Sequence, residues 1–180
     1  MNNSDVAKIL VSEQELSEIC RRLGEQISRD YEGKKLLVVS VLKGAIVFMA
    51  DLLREIKCNC VIDFIAVSSY SGTKTTGVVK FKKDLDIDPD GMDILIVEDI
   101  LDSGITLSYL SGVLKGRNAN SIKICTLLDK PTNRKADISA DYVGKVIPDE
   151  FVVGYGLDYD EKYRNLPYVG VLSPSVYGGK

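Results

Sequence analysis

Residues 94–106 read Ile-Leu-Ile-Val-Glu-Asp-Ile-Leu-Asp-Ser-Gly-Ile-Thr. The aliphatic run at 94–97 has the character of a strand buried on both faces of a parallel sheet, and the strand is expected to run out into two adjacent carboxylates, Glu98 and Asp99. A short loop with Asp102, Ser103 and Gly104 then leads into a helix expected from about 106 to 114. Ligands of open α/β sheets bind beyond the carboxyl ends of the strands, so this junction is the expected place for a site. Its loop chemistry suits a phosphate: Gly104 permits close backbone approach, Ser103 and Thr106 offer hydroxyl donors, and the helix start presents unpaired N–H groups. Glu98 and Asp99 have the opposite preference, as acceptors for sugar hydroxyls or as ligands for magnesium. The plainer alternative is that these acids merely open a solvated loop and that Asp102 or a hydroxyl caps the helix.

Outward from this stretch the same alternation recurs. Ser12 followed by Glu15 reads as a capping box for a helix with apolar residues at Leu16, Ile19, Cys20, Leu23 and Ile27. Residues 36–42 form a second aliphatic strand, broken by Lys43-Gly44 before a helix at 45–56. Strands are expected at 60–67, 78–81 and 121–128. This rhythm predicts an α/β fold, a mostly parallel, doubly wound sheet with helices on both faces. Residues 68–77, SSYSGTKTTG, are polar and aperiodic and read as a mobile loop. From Pro131 the rhythm fails, leaving short β-like pieces at 151–153 and 168–172. A single domain over 1–180 is expected, with a small hood or lid subdomain drawn from about 1–11 and 131–180.

Composition removes whole classes of mechanism. The 180 residues contain no histidine, so no Ser-His-Asp or Cys-His pair and no HExxH zinc site can exist, and acid/base work falls to carboxylates, Lys or Tyr. The 23 basic and 26 acidic residues give a net charge of -3, which leaves no broad basic footprint for nucleic acid or anionic membrane. Cys20, Cys58, Cys60 and Cys125 lie in apolar stretches and are expected to be buried free thiols, and the N-terminus lacks the pattern of a signal peptide. The longest uncharged run, 165–179, contains Pro167 and Pro174 and is short for a membrane span. A cytoplasmic protein without membrane or nucleic-acid partners is the expectation.

Two motifs are decoys. Gly72 and Gly77 match the outer glycines of a phosphate-binding GxxxxGK[ST] loop, but Val78-Val79 stand where Lys and Ser/Thr are required. Gly154-Tyr155-Gly156 lacks the third glycine and the helix of a dinucleotide fingerprint.

The pattern at 94–106 resembles the phosphoribosyl pyrophosphate signature of the type I phosphoribosyltransferases. Together with Leu42-Lys43-Gly44-Ala45, Ser69-Tyr70, Asp129-Lys130-Pro131 and the segment 148–159 (PDEFVVGYGLDY), it resembles the hypoxanthine-guanine branch of that family from Ile9 to Leu172. The resemblance implies the roles that follow. Asp102 is the general base that takes the N7 proton of the purine. Glu98 and Asp99 hold the ribose hydroxyls, and Ser103, Gly104, Ile105 and Thr106 cradle the 5-phosphate. Lys43, preceded by an often cis peptide, and Gly44 face pyrophosphate with Arg164. Ala45 departs mildly from the commoner Gly. Lys130 donates to the purine 6-oxo group, Phe151 stacks on the base and Val152 meets its edge through the backbone. Glu98, Asp99 and Asp158 would bind Mg2+, and the loop around Ser69 and Tyr70 would close as a lid. By composition alone, Phe151 and Val152 are plain core, and Arg164 and Asp158 are surface charges.

The implied reaction joins phosphoribosyl pyrophosphate to hypoxanthine or guanine, giving IMP or GMP plus pyrophosphate, in a homodimer or homotetramer. Preference among hypoxanthine, guanine and xanthine stays open. The rivals are a phosphoribosyltransferase for another base and a regulator that keeps the phosphoribosyl pocket but binds RNA or DNA.

Overall fold

The computed structural model describes residues 5–69 and 79–178. Chain order is β1 (Val6–Val11), α1 (Glu13–Asp30), β2 (Leu36–Leu42), α2 (Ile46–Glu55), β3 (Cys60–Ser69), β4 (Val79–Lys83), β5 (Asp93–Leu101), α3 (Ile105–Lys115), β6 (Ser121–Asp129), a 3-10 turn (Pro131–Asn133), β7 (Tyr142–Val146), β8 (Val152–Val153), β9 (Val169–Leu172) and α4 (Pro174–Tyr177). Six strands form the main sheet in the order β4-β3-β2-β5-β6-β7. All neighbours in it are parallel except β3 and β4. The expected α/β fold with a mostly parallel sheet is thus the fold observed.

The unbroken aliphatic strands follow from burial on both faces. Val38, Leu95 and Val97 pack with Leu16, Leu23 and Ile27 of α1 and Phe48, Met49 and Leu52 of α2. Their neighbours Leu37, Val39, Ile94 and Ile96 face the other way, onto Leu107, Leu110 and Leu114 of α3. The strand period of two therefore sends alternate side chains into separate cores. Ser12 caps α1 as its sequence suggested, accepting the Glu15 N–H at 3.2 Å. α2 carries no such cap: Ala45 occupies the position, and the helix rests on its buried face.

A second, antiparallel sheet of three strands, β1-β9-β8, stands over the carboxyl ends. Its Val11, Val152, Val169 and Val171 share the core of α1 and α2, which joins the two sheets through apolar packing. One part of the hood expectation is corrected. Tyr142–Val146 lies within the 131–180 span but pairs parallel with β6 as the last strand of the main sheet, where Tyr142 is buried and the Asp141 carboxylate accepts the Ile124 N–H at 2.9 Å. With one buried aromatic and a Gly144 in the middle, this strand lacks the aliphatic run by which the others are recognised.

The expected loop at 68–77 falls almost wholly outside the described residues. Cys20 and Cys125 are buried free thiols as expected, whereas Cys58 and Cys60 are only partly covered. No helix among the described residues is long and apolar enough to cross a membrane.

Candidate active site at the carboxyl ends of the sheet

β5 does not end at Val97. It continues through Glu98, Asp99 and Ile100, paired with β6 at Glu98↔Thr126 and Ile100↔Leu128, and stops at Leu101. The two acids are therefore fixed by a strand ladder, which removes the alternative in which they merely open a solvated loop. A periodic apolar run shows where a strand is covered on both faces, and it cannot show how far hydrogen bonding to β6 extends beyond that cover. Glu98 Oε2 is shielded from solvent and has no hydrogen-bond partner among the described residues. Burial and the neighbouring Asp99 carboxylate hold Glu98 well above the usual carboxylate range. Burial pushes Asp99 up to about 6, against the opposing pull of the Ile100 N–H, which donates to its Oδ1 at 2.8 Å, and of Arg164.

Beyond β5, Gly104 is the N-cap residue of α3, at φ +77°, and no side chain caps the helix. The alternative in which Asp102, Ser103 or Thr106 serves as a helix cap is thereby removed. The first amides of α3 are not taken up by a side-chain cap, an arrangement that suits an anion. The Ser103 carbonyl points away from this group of amides and accepts the N–H groups of Lys135 and Ala136 at 2.9 and 3.1 Å. Ile105 stands 44% exposed at the start of the helix, and its aliphatic side chain carries no hydrogen-bonding group, so only its backbone can bind an anion.

Asp102 lies where β5, β6 and the hood meet. Its Oδ1 is shielded and has no partner among the described residues, while Oδ2 is 3.9 Å from Lys130 Nζ. Lys130, only 6% exposed, also binds Asp149 Oδ1 at 2.9 Å and donates to the Glu150 carbonyl at 3.1 Å. Its ammonium thus ties Asp102 to the residue before Phe151. Phe151 is 42% exposed, so the plain-core alternative fails for it, whereas Val152 is buried in β8, the edge strand of its sheet.

One residue of this region escaped the sequence reading. Arg134 donates from Nε to the Asp102 carbonyl at 3.0 Å, from one terminal nitrogen to the Ile138 carbonyl at 2.9 Å, and from the other to the Leu101 carbonyl at 3.3 Å and to the Asp129 carboxylate. A single guanidinium therefore holds the loop that carries Asp102. The only signal in the sequence is its spacing of four residues after Lys130, which no periodicity marks out.

Lys43, Gly44, Asp158 and Arg164 come together on the other side of Asp99. The Leu42–Lys43 peptide is cis. Side chains cannot be added at two places in this cluster: a Cβ on Gly44 would overlap the Asp99 carboxylate, and one on Gly156, whose φ is +103°, would overlap the Gly44 carbonyl. The loop containing Asp158 and Arg164 is thereby pressed onto the backbone behind Asp99. Arg164 donates to the Gly156 carbonyl at 2.7 Å and pairs with Asp158 at 2.8 Å and Glu161 at 3.2 Å, and Glu161 also meets Lys43 at 3.0 Å. Arg164 Nε is buried without a partner among the described residues. A cleft of about 450 Å3 behind this cluster, lined by Cys20, Asp51 and Tyr155 among others, touches it through Arg164.

The site is not divided into an acidic and a basic surface, as the separate roles of its residues suggest. Each cation, Lys43, Lys130 and Arg164, is paired with a carboxylate. Ser69 closes β3, and Tyr70 lies outside the described residues.

Glu98, Asp99 and Asp158 supply the hard oxygen donors that magnesium prefers, and the orphaned Glu98 Oε2 fits a cation or a hydroxyl. No group of three or more His, Cys, Asp or Glu among the described residues gathers tightly enough to hold a metal alone. An ion here would take most of its ligands from phosphate oxygens and water, as magnesium commonly does.

A sequence profile of the phosphoribosyl transferase domain matches residues 7–160. The chain is 53% identical over 176 residues to the hypoxanthine-guanine phosphoribosyltransferase of Staphylococcus aureus strain Mu50, covering 97% of this chain and 98% of that protein. It is 54% identical to the bifunctional protein TilS/HprT of Listeria monocytogenes serotype 4b, of whose length it spans only 27%. Its fold matches a crystal structure of a hypoxanthine phosphoribosyltransferase from Staphylococcus aureus with a TM-score of 0.95, at 52% identity and 98% coverage of both chains. A hypoxanthine-guanine phosphoribosyltransferase structure from Bacillus anthracis, with HEPES in the active site, matches with a TM-score of 0.89 at 49% identity, over 94% of this chain and 98% of that one.

Proposed function

The chain belongs to the phosphoribosyl transferase family and is a transferase of its hypoxanthine-guanine branch. From that premise we propose that it moves the 5-phosphoribosyl group from phosphoribosyl pyrophosphate to hypoxanthine or guanine, giving IMP or GMP and pyrophosphate. One observation carries the reading. The uncapped start of α3, the orphaned oxygens of Glu98 and Asp102, and Lys130, bonded to the carbonyl of the residue before the exposed Phe151, lie at one end of the sheet.

In this reading the 5-phosphate sits on the backbone of Ser103, Gly104, Ile105 and Thr106, where α3 presents free N–H groups. Glu98 and Asp99 accept from the ribose hydroxyls, which gives a partner to the Glu98 Oε2 that has none among the described residues. Phe151 stacks on the base, Val152 reads its edge through the backbone, and Lys130 donates to the 6-oxo oxygen. A committed donor facing the amino group of adenine would be left unpaired, and this supports exclusion of adenine. Asp102 takes the N7 proton as the bond from base to anomeric carbon forms and the bond to pyrophosphate breaks. Lys43, the backbone at Gly44 and Arg164 hold the departing pyrophosphate, exchanging Glu161 and Asp158 for phosphate oxygens. Magnesium, held by Asp158 and Asp99 with Glu98, would neutralise charge on the leaving group. Ser69 and Tyr70 belong to a lid that closes over the activated ribose.

The free thiols support a reducing, cytoplasmic setting. Ile46, Val61 and Ile62, each more than 40% exposed, support burial between copies in a homodimer or homotetramer. The deciding experiment incubates the purified protein with phosphoribosyl pyrophosphate and magnesium and each of hypoxanthine, guanine, xanthine and adenine. Nucleotide and pyrophosphate are expected from hypoxanthine and guanine but not from adenine. Release of pyrophosphate with no base, or with adenine alone, overturns the proposal.

A further inference from the structure

The chain does not stop at the end of the hood sheet. β9 ends at Leu172, whose N–H donates to the Phe151 carbonyl at 2.9 Å, so the end of β9 and Phe151 are locked side by side. The next residue, Ser173, is anchored by its N–H to the Asp5 carbonyl at 2.8 Å, and the single turn of α4 then folds back. This brings the Tyr177 ring against Phe151, with centroids 5.2 Å apart and planes inclined by 29°. Tyr159, one residue after Asp158, meets the same ring in a T-shaped contact at 5.6 Å and 88°. The two tyrosines also meet each other edge to face at 6.4 Å.

We propose that Tyr177 is a positioning residue for the base: it backs one face of Phe151 so that the opposite face is held ready for the purine. The inference rests on the reading of Phe151 as the stacking residue. A phenyl ring on an exposed strand end can turn about both side-chain torsions, and ordering it on binding has a cost in conformational entropy. Phe151 is 42% exposed although Tyr177 stacks on it and Tyr159 meets it at right angles, so the remaining exposure belongs to a ring already held in one orientation. Offset-stacked and edge-to-face contacts are the two arrangements that aromatic quadrupoles favour. Both are present here, and both involve the Phe151 ring. Lys130, which binds the Glu150 carbonyl, is set by the same backbone, so the stacking ring and the donor to the 6-oxo group share one support. α4 has no other evident use: it buries no residue and lies outside both main cores.

Steady-state kinetics of Tyr177→Ala, Tyr177→Phe and Phe151→Ala test this. Aromatic pairs contribute about 0.5 to 1.5 kcal/mol beyond burial, so Tyr177→Ala is expected to raise KM for hypoxanthine and guanine about three- to tenfold. KM for phosphoribosyl pyrophosphate and kcat at saturating base should stay within about twofold, since the ring touches neither. Tyr177→Phe keeps the ring and should restore the base KM, a rescue that separates the ring from any general loosening of the C-terminus. An unchanged base KM in Tyr177→Ala, or equal losses toward both substrates, overturns the inference. A lowered base KM also overturns it, because it would mean that Tyr177 occupies the place of the base. Phe151→Ala separates the two levels: a raised base KM there with none in Tyr177→Ala removes only Tyr177, whereas no change in either removes the stacking role of Phe151 as well.

Discussion

Asp63 and Glu98 are acids on strands of one sheet, with only β2 between β3 and β5, and the protein treats them in opposite ways. Asp63 is 5% exposed and fully partnered. Its oxygens accept the N–H groups of Phe64 at 2.7 Å, Asp86 at 2.7 Å and Ile87 at 2.9 Å, and the Lys83 ammonium at 3.2 Å. Burial pushes its carboxyl up, but these donors outweigh burial and the net shift is downward. Glu98 gets burial and a like-charged neighbour, and its Oε2 gets no donor. Asp102, with an unpartnered Oδ1, resembles Glu98 in this respect. A buried carboxylate given every donor it can use stabilises the fold, and one left short keeps its capacity for a substrate.

The contrast is sharpest in the loss each acid should cause. Asp102→Asn removes the proton acceptor while keeping its shape. It should lower kcat by about 10²- to 10⁴-fold, the range of a general base, with the Kd of phosphoribosyl pyrophosphate changed little in calorimetry. Near-normal turnover would take Asp102 out of that role. Asp63→Ala should behave in reverse, leaving kcat of the folded enzyme intact. It abandons three backbone donors and a lysine, a loss of roughly 3 kcal/mol, visible as a lower denaturant midpoint.

The pH dependence of Asp63 follows from its direction of shift. Since its folded pKa lies below the ordinary value of about 3.9, its contribution is complete above that value and fades as pH falls through the folded pKa. Asp63→Asn should therefore flatten the acid limb of the stability curve, and an unchanged limb would show that the donors do not discriminate the charged form.

Arg134→Lys tests whether the loop bearing Asp102 needs a planar fork. A lysine cannot reach Asp102, Leu101 and Ile138 carbonyls together, so kcat should drop about tenfold, a 1.4 kcal/mol effect, with thermal stability nearly kept. The smallest expected change is in Glu98→Gln. An amide relieves a desolvated charge and should leave stability unchanged or raised by up to about 1 kcal/mol, while the KM for phosphoribosyl pyrophosphate rises. Strong destabilisation would place Glu98 with Asp63 instead.

How far the sequence carries depends on how contiguous a feature is. The strand, the acids and the helix start at 94–106 lie along one stretch, so their chemistry and place in the fold were legible together. Even there the reading ended β5 at Val97, because the pairing of Glu98 with Thr126 is made by a strand 28 residues away. Arg134 was invisible for the same reason: its four acceptors come from Leu101, Asp102, Asp129 and Ile138, and each is an ordinary residue until the chain brings them together. Tyr142–Val146 was placed in the hood because one buried ring does not make a period.

The sequence by itself determined the parallel α/β sheet, the absence of imidazole chemistry and the phosphate-ready turn, since aliphatic periodicity, composition and a Gly-containing junction act locally. Only the tertiary structure decided which acids are satisfied. Donors to Asp63 come from the end of β4 and the loop after it, while the neighbours of Glu98 bring none. It also decided that Gly44, Asp99 and Gly156 meet with no room for a side chain, and that Tyr177 returns to Phe151. Hydrogen-bond satisfaction and close approach depend on distances in space, and a sequence records only distance along the chain.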